Sequence, residues 1–282
     1  MEPRSQPPVA AHVDLHRADA YGQSFADVYD RWYHDVSDAE ATARFVFQRC
    51  GSLPIVELGV GSGRLARPLV ALGATVIGLD ASAPMLEQAR NWPAPQPSGS
   101  AEAQPELGLG SQQQPTPGSL SLIQGDMRAL PVRHGVGGAL IAFNTLFNLS
   151  SEAEQLTLLH QLRAMLATDG VLIVEALDLS ALLSGPSDSI GVRTATDDGV
   201  VVSATQLDGQ QQTVCGQHLE IDSNGVSIRP WRLRWLTPSQ LDAMAAGAGM
   251  TLLERFGGWD EEPFTDQSDT HVSVYGPSGV SD

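Results

Sequence analysis

The residues richest in chemistry lie between positions 55 and 64: Ile55-Val56-Glu57-Leu58-Gly59-Val60-Gly61-Ser62-Gly63-Arg64. Glycines at alternate positions after an apolar run let the backbone approach a ligand closely, and a helix that follows offers unpaired N–H groups. Two nucleotide sites fit. Gly61, Gly63 and Ala66 satisfy G-x-G-x-x-A, the dinucleotide pattern, with Asp80 near the right distance for a ribose. That reading is a nicotinamide-dependent oxidoreductase. The second site is for S-adenosylmethionine (SAM). Glu57 extends the pattern to E-x-G-x-G-x-G. An acid there can face the ammonium of a methionyl group, whereas it would repel a pyrophosphate. Gln124-Gly125-Asp126-Met127 then brings a carboxylate that can accept from an adenine amino group. A SAM-binding module without turnover is a third reading.

Other side chains are candidates for the far side of such a site. Asn144 and Asn148 follow a predicted strand end, where open α/β sheets place ligands. Tyr29, Trp32 and Tyr33 form an aromatic cluster near the start of the chain. His271 is the histidine expected nearest the acceptor, and His218 comes after it. Asp260, Glu261, Glu262, Asp266 and Asp269 form an acidic loop that could attract a cationic amine. No His/Cys/Asp cluster has metal-ligand spacing, so no metal is expected.

These residues need strand ends to hold them, and the chain supplies strands and helices in alternation. Pro54 to Gly59 and Ala74 to Asp80 read as buried parallel strands. Arg64 to Leu72 and Ser82 to Asn91 read as helices, the second with Ser82 as N-cap. Leu120 to Gln124, Gly138 to Phe143 and Val171 to Leu177 continue the strands, the last apolar apart from Glu175. Ser151 to Ala167 is an amphipathic helix with Leu156, Leu159, Leu162 and Leu166 as its apolar face. Two helical stretches are expected between Tyr21 and Cys50. The order implies a mostly parallel sheet with helices on both faces.

Residues 190–236 differ. Asp197-Asp198-Gly199, Asp208-Gly209 and Asn224-Gly225 predict hairpins in an accessory β segment covering the acceptor pocket. Trp231 and Trp235 in it are expected on one side. Thr237-Pro238 starts a helix to about Ala248. Met250 to Gly257 and His271 to Gly276 are final strands, the last antiparallel. Residues 1–20 read as a loose tail. Residues 92–119, with six prolines, five glutamines and two charges, read as a disordered insertion.

Composition removes whole function classes. The formal charge is −17, and the sixteen basic residues are all arginine. Without lysine there is no Schiff base to pyridoxal phosphate and no Walker-type phosphate lysine. The acidic balance argues against a nucleic-acid partner and against an anionic membrane surface. Two cysteines, Cys50 and Cys215, exclude a disulfide scaffold. No apolar run approaches a bilayer span, and the start lacks a secretory core. A cytoplasmic protein is expected.

In order, the motifs resemble those of the class I SAM-dependent methyltransferases, and within them a branch acting on small molecules. The elements are Tyr29-Asp30 with Tyr33, Glu57 to Arg64, Gly78 to Leu86, Gly125 to Met127, Phe143 to Leu149 and Gly257 to Tyr275. The resemblance runs from Tyr21 to Gly276 with 92–119 interrupting. It implies a Rossmann-like, seven-stranded, mostly parallel sheet with helices on both faces and an antiparallel last strand, residues 21–282 forming one domain. It implies that SAM is held by Glu57, Gly59, Gly61, Gly63 and Arg64. Asp80 would take the ribose hydroxyls, Met85 would pack on adenine, Asp126 and Met127 would read the adenine edge, and Phe143 would close over the cofactor. Tyr29 and Tyr33 would form a lid. Tyr33, Asn148 and His271 are the residues expected at the reacting centre. Related aminosugar N-methyltransferases often carry a histidine where this chain has Asn148, a departure that counts against an aminosugar acceptor. The implied partner is a small-molecule methyl acceptor, and a homodimer is compatible with the reading.

Overall fold

A computed structural model of the chain describes residues 14–33, 36–91, 118–131, 134–180, 183 and 185–279. The tail up to residue 13 and residues 92–117 of the expected insertion at 92–119 lie outside the described residues, and Ser119 at its end already belongs to a strand that pairs with Thr75.

A short strand, β1 (Ile55–Leu58), is buried throughout, with a hydrogen-bonded neighbour on each edge and a different core cluster against each face. It pairs in parallel with β2 (Thr75–Asp80) on one side and β4 (Val136–Ile141) on the other. With β3 (Ser119–Gln124), β5 (Leu166–Leu177), β10 (Met250–Phe256) and β11 (Thr270–Pro277), they form a seven-stranded sheet in the order β10-β11-β5-β4-β1-β2-β3. β11 is antiparallel to both β5 and β10. The winding changes direction between β1 and β4, and such a switch point opens a crevice at the carboxyl ends of the strands.

Local signals set the helices. Asp38 caps α3 (Ala39–Cys50) by accepting from the Glu40 and Ala41 N–H groups. Ser151 caps α6 (Glu152–Met165), and Thr237 with Gln240 closes a capping box on α7 (Pro238–Gly247). α4 (Ala66–Ala71) and α5 (Ala83–Asn91) follow β1 and β2. The buried stripe of α6 is Gln155, Leu158, Leu159, Leu162 and Met165. It is rotated from the leucine face read in the sequence because Leu166 already belongs to β5.

Before α3 the chain makes two short helices, α1 (Ala20–Phe25) and α2 (Tyr29–Tyr33), where two helical stretches in all were expected from Tyr21 to Cys50. The expected loose tail also ends earlier than residue 20. From Asp14 the chain turns on itself, and Arg17 pairs with Asp19 at 2.9 Å.

The accessory segment is a four-stranded antiparallel sheet: β6 (Asp188–Thr196), β7 (Gly199–Asp208), β8 (Thr213–Asp222) and β9 (Gly225–Arg234). Its three turns fall at the three predicted sites. One face lies on the N-terminal helices. There Arg229 donates to Asp27 at 2.7 and 2.8 Å and to the Ser24 carbonyl at 2.6 Å, and Arg31 meets Glu220 at 2.6 Å. Trp235 falls just past β9 and is fully buried in the main core, and Trp231 packs against that same core from within β9. No helix among the described residues is long and apolar enough to cross a membrane.

Candidate active site

A cavity of about 340 Å³ opens over the ends of β1, β2 and β4, roofed by α1, α2 and the accessory sheet. This is the size range of small-molecule sites. Its floor is backbone. Gly59 and Gly61 have φ of +68° and +54°, a left-handed region that favours glycine. A Cβ on Gly61 would meet nothing nearer than the Gly59 carbonyl at 3.9 Å, so it would stand in the cavity. Asp80, ending β2, clamps this turn. Its Oδ2 accepts from the Gly61 N–H at 2.9 Å and its Oδ1 from the Ser82 N–H at 2.8 Å. Burial raises its pKa, and these backbone N–H groups oppose the rise. Each carboxylate oxygen keeps a second lone pair for a ligand.

Glu57 lies beneath the turn and does not line the cavity. It is 4% exposed, and burial pushes its carboxyl up to about 8, with Arg64 opposing and Asp80 reinforcing. Its Oε2 has no hydrogen-bond partner. A buried acid left unpaired is costly unless a cation completes it, so the donor set fits a ligand that is cationic at one end and carries a ribose at the other.

Met85, Gly125, Asp126 and Met127 all line the cavity. Asp126 is held by Arg128, which donates from Nε at 2.8 Å and from its backbone N–H at 2.9 Å. Burial pushes the Asp126 pKa up, but the Arg128 hydrogen bonds outweigh it and the net shift is downward. Arg128 also reaches Glu154 at 3.4 Å.

The loop after β4 carries backbone strain. Phe143 and Asn144 have φ of +50° and +61°, unusual for residues with a Cβ. Glu175 holds them there. Its Oε2 accepts from the Phe143 N–H at 2.8 Å, and the Asn144 Oδ1 accepts from the Leu177 N–H at 2.7 Å. The only signal for Glu175 in the sequence was an acid in an otherwise apolar strand. Asn148 lines the cavity and donates to the Thr145 carbonyl at 3.3 Å.

The roof is aromatic. Tyr33 sits 5.2 Å from Phe143 and 5.0 Å from Tyr29, ring centre to ring centre, and the Arg193 guanidinium lies 4.4 Å from its ring. Tyr21, Trp231 and His218 complete this wall, and Leu15 to Ala18 of the expected tail line it as well.

Several expected site residues stand elsewhere. Gly63 and Arg64 do not line the cavity; Arg64 donates to the Ser37 hydroxyl at 2.9 Å and so ties the loop before α3 to the turn. His271 is not in the cavity either. Its strand is antiparallel, and the residue pairs with Ala176 one step inside the sheet end, 1% exposed beside Phe264. Its Nδ1 is bonded to the Ser273 hydroxyl at 2.8 Å, and burial pushes its pKa down to about 4, with Arg255 adding to the effect. His218 is the histidine that lines the cavity. The acidic loop is exposed and none of its acids lines the cavity; Glu261 pairs with Arg49 at 3.3 Å. Among the described residues no cluster of three metal-ligating side chains occurs.

Residues 56–174 match a family described as a methyltransferase domain. The chain is 31% identical to the CcbJ methyltransferase from Streptomyces caelestis, covering 92% of this chain and 98% of that one with a TM-score of 0.80. A SAM-dependent methyltransferase from Clostridium acetobutylicum shares the fold at 13% identity, 91% and 99% coverage and a TM-score of 0.70. SAM-bound CalS10, an amino pentose methyltransferase from Micromonospora echinaspora, does so at 19% identity, 88% and 96% coverage and a TM-score of 0.61. An uncharacterized methyltransferase from Geobacillus sp. is 39% identical over 74 residues, 26% of this chain; the match spans about a third of that relative, 34% of its length.

Proposed function

Because this chain belongs to the class I SAM-dependent methyltransferases, we propose that it transfers the SAM methyl group to an N, O or C atom of a small-molecule acceptor. The observation that carries the proposal is the bare-backbone floor at Gly61 with Asp80 clamped beside it and an unpaired carboxylate, Glu57, beneath. SAM, when bound, supplies a methyl group already activated by a sulfonium.

The protein's part is then placement. Gly59 and Gly61 admit the ligand against the backbone. Asp80 accepts from the ribose hydroxyls, and Met85, Asp126 and Met127 hold the adenine. Glu57, beneath the Gly59–Gly61 turn and not itself lining the cavity, complements the ammonium as a charge under the floor, with Arg64 moderating it. Phe143, Tyr29 and Tyr33 close the cavity and exclude water, and Asn148 borders the acceptor end. Positioning of this kind can supply roughly 7–11 kcal/mol of the barrier. Two thiols, Cys50 and Cys215, are unpaired, which supports a reducing, cytoplasmic setting. Ile190, Val192, Val226 and Ile228 leave one face of the accessory sheet apolar and exposed, which supports a homodimer.

The test is incubation of the purified protein with isotopically methyl-labelled SAM and a small-metabolite extract. Label appearing in a small molecule is the expected result. Tight SAM binding without any labelled product would leave only a binding protein and overturn the proposal.

A further inference from the structure

His218 has a setting that neither packing nor cofactor binding requires. It lies on β8 in register with Ser203 on β7 and Arg229 on β9, on the sheet face turned to the cavity. Its Nδ1 is 2.6 Å from the Ser203 hydroxyl. Three aromatic rings fix the imidazole plane: Phe25 at 5.7 Å and Trp32 at 5.7 Å meet it edge to face, and Trp231 lies tilted at 5.9 Å. Among the described residues its ring makes no other hydrogen bond, and the residue is 7% exposed.

Resting on the methyl-transfer reading above, we propose that His218, its ring set by Ser203, takes the proton released as the acceptor is methylated. As the acceptor's lone pair bonds to the methyl carbon and the carbon–sulfur pair returns to sulfur, the N–H or O–H proton passes to His218 Nε2. The bonding pair it leaves behind stays on the acceptor atom. Ser203 is a positioning residue. By accepting from Nδ1–H it leaves the Nε2 lone pair toward the cavity.

Electrostatics favour this tautomer. The Arg193 guanidinium of β6 acts on His218, and a ligand sulfonium would add a second positive charge. A lone pair suits that field better than an N–H. The other charges on this face are Arg229 and Glu220 with Asp27 from the α1–α2 turn and Arg31 from α2, and they pair with one another. Burial, reinforced by Arg193, pushes the imidazole pKa down to about 4, so the ring is neutral at pH 7 and hands its proton on to water.

Two measurements on the full chain test this. Long-range proton–nitrogen spectra of histidine-labelled protein report the tautomer without any acceptor. Wild type is expected to show Nδ1–H with unprotonated Nε2 at pH 7, and Ser203→Ala is expected to move the population toward Nε2–H. A wild-type Nε2–H tautomer overturns the proposal. With the acceptor found by labelled methyl transfer, His218→Asn is expected to lower kcat on the order of 100-fold with the SAM Kd unchanged. Equal kcat in wild type and variant overturns the proposal. If wild type binds SAM but labels nothing, the methyl-transfer reading fails, and the tautomer still judges His218 separately.

Discussion

The two halves of the cavity are built from different materials. The half at the ends of β1 and β2 is backbone: positive-φ glycines, N–H groups and one carboxylate that organises them. The half under the accessory sheet is side chain: Tyr21, Tyr33, Trp231, Arg193 and His218, brought from segments as much as 210 positions apart. A backbone surface tolerates little change and suits a ligand that never varies. A side-chain surface can be rewritten residue by residue, which suits an acceptor that differs between relatives.

This division can be broken by substitution. Gly61→Val places a branched side chain on the floor in a disfavoured conformation. It is expected to weaken SAM binding at least on the order of 100-fold while costing the fold only about 1–2 kcal/mol from the backbone. Calorimetry and thermal melting separate the two effects, and near-normal SAM affinity would end the claim that this floor is the cofactor cradle. Asp80→Ala removes the turn's clamp and the ribose acceptor together. A loss of roughly 1–2 kcal/mol or more, about ten-fold in Kd, is expected. Unchanged affinity would take Asp80 out of the site.

On the other half, Trp231→Ala is expected to raise the acceptor KM severalfold and leave the SAM Kd within about two-fold, since it opens the roof and not the floor. A change in SAM affinity equal to that in KM would erase the distinction between the halves.

A further expected effect is a pH dependence of SAM binding. With its carboxyl at about 8, Glu57 is mostly protonated in the free protein at pH 7 and must ionise to face an ammonium. Affinity therefore rises with pH, by nearly ten-fold per unit below 7, and peaks near pH 8 as the ligand's own amino group begins to lose its proton. The sign for stability is opposite. A carboxyl raised above its unfolded value stabilises the fold at low pH and loses that contribution as pH rises toward 8. A flat binding profile from pH 6 to 8 would mean that Glu57 does not meet the ligand's charge.

The same division explains what could be read from the sequence. The glycine turn, Asp80 and the strand ends were legible because local spacing dictates them; E-x-G-x-G-x-G can be recognised within eight residues. The hairpins of the accessory sheet were legible too, since Asp-Gly and Asn-Gly specify their own turns. Which histidine reached the cavity was not. His271 sits where β11 is antiparallel and its register carries it one step into the sheet, while His218 reaches the cavity only because β8 stacks beside β7 in one register out of two. A one-residue slip would turn it to the other face. Arg64 looked like part of the cradle because it ends the motif, yet its side chain leaves the turn for Ser37. Glu175 was visible only as an acid out of place, and its partner Phe143 lay 32 positions away.

The most direct test of the central claim, that the Gly59–Gly61 turn with Asp80 holds SAM, is titration calorimetry of the purified chain with SAM, with NADH as the comparison ligand. The account predicts one site of low-micromolar affinity or tighter for SAM and no heat with NADH. Heat with NADH and none with SAM would contradict it.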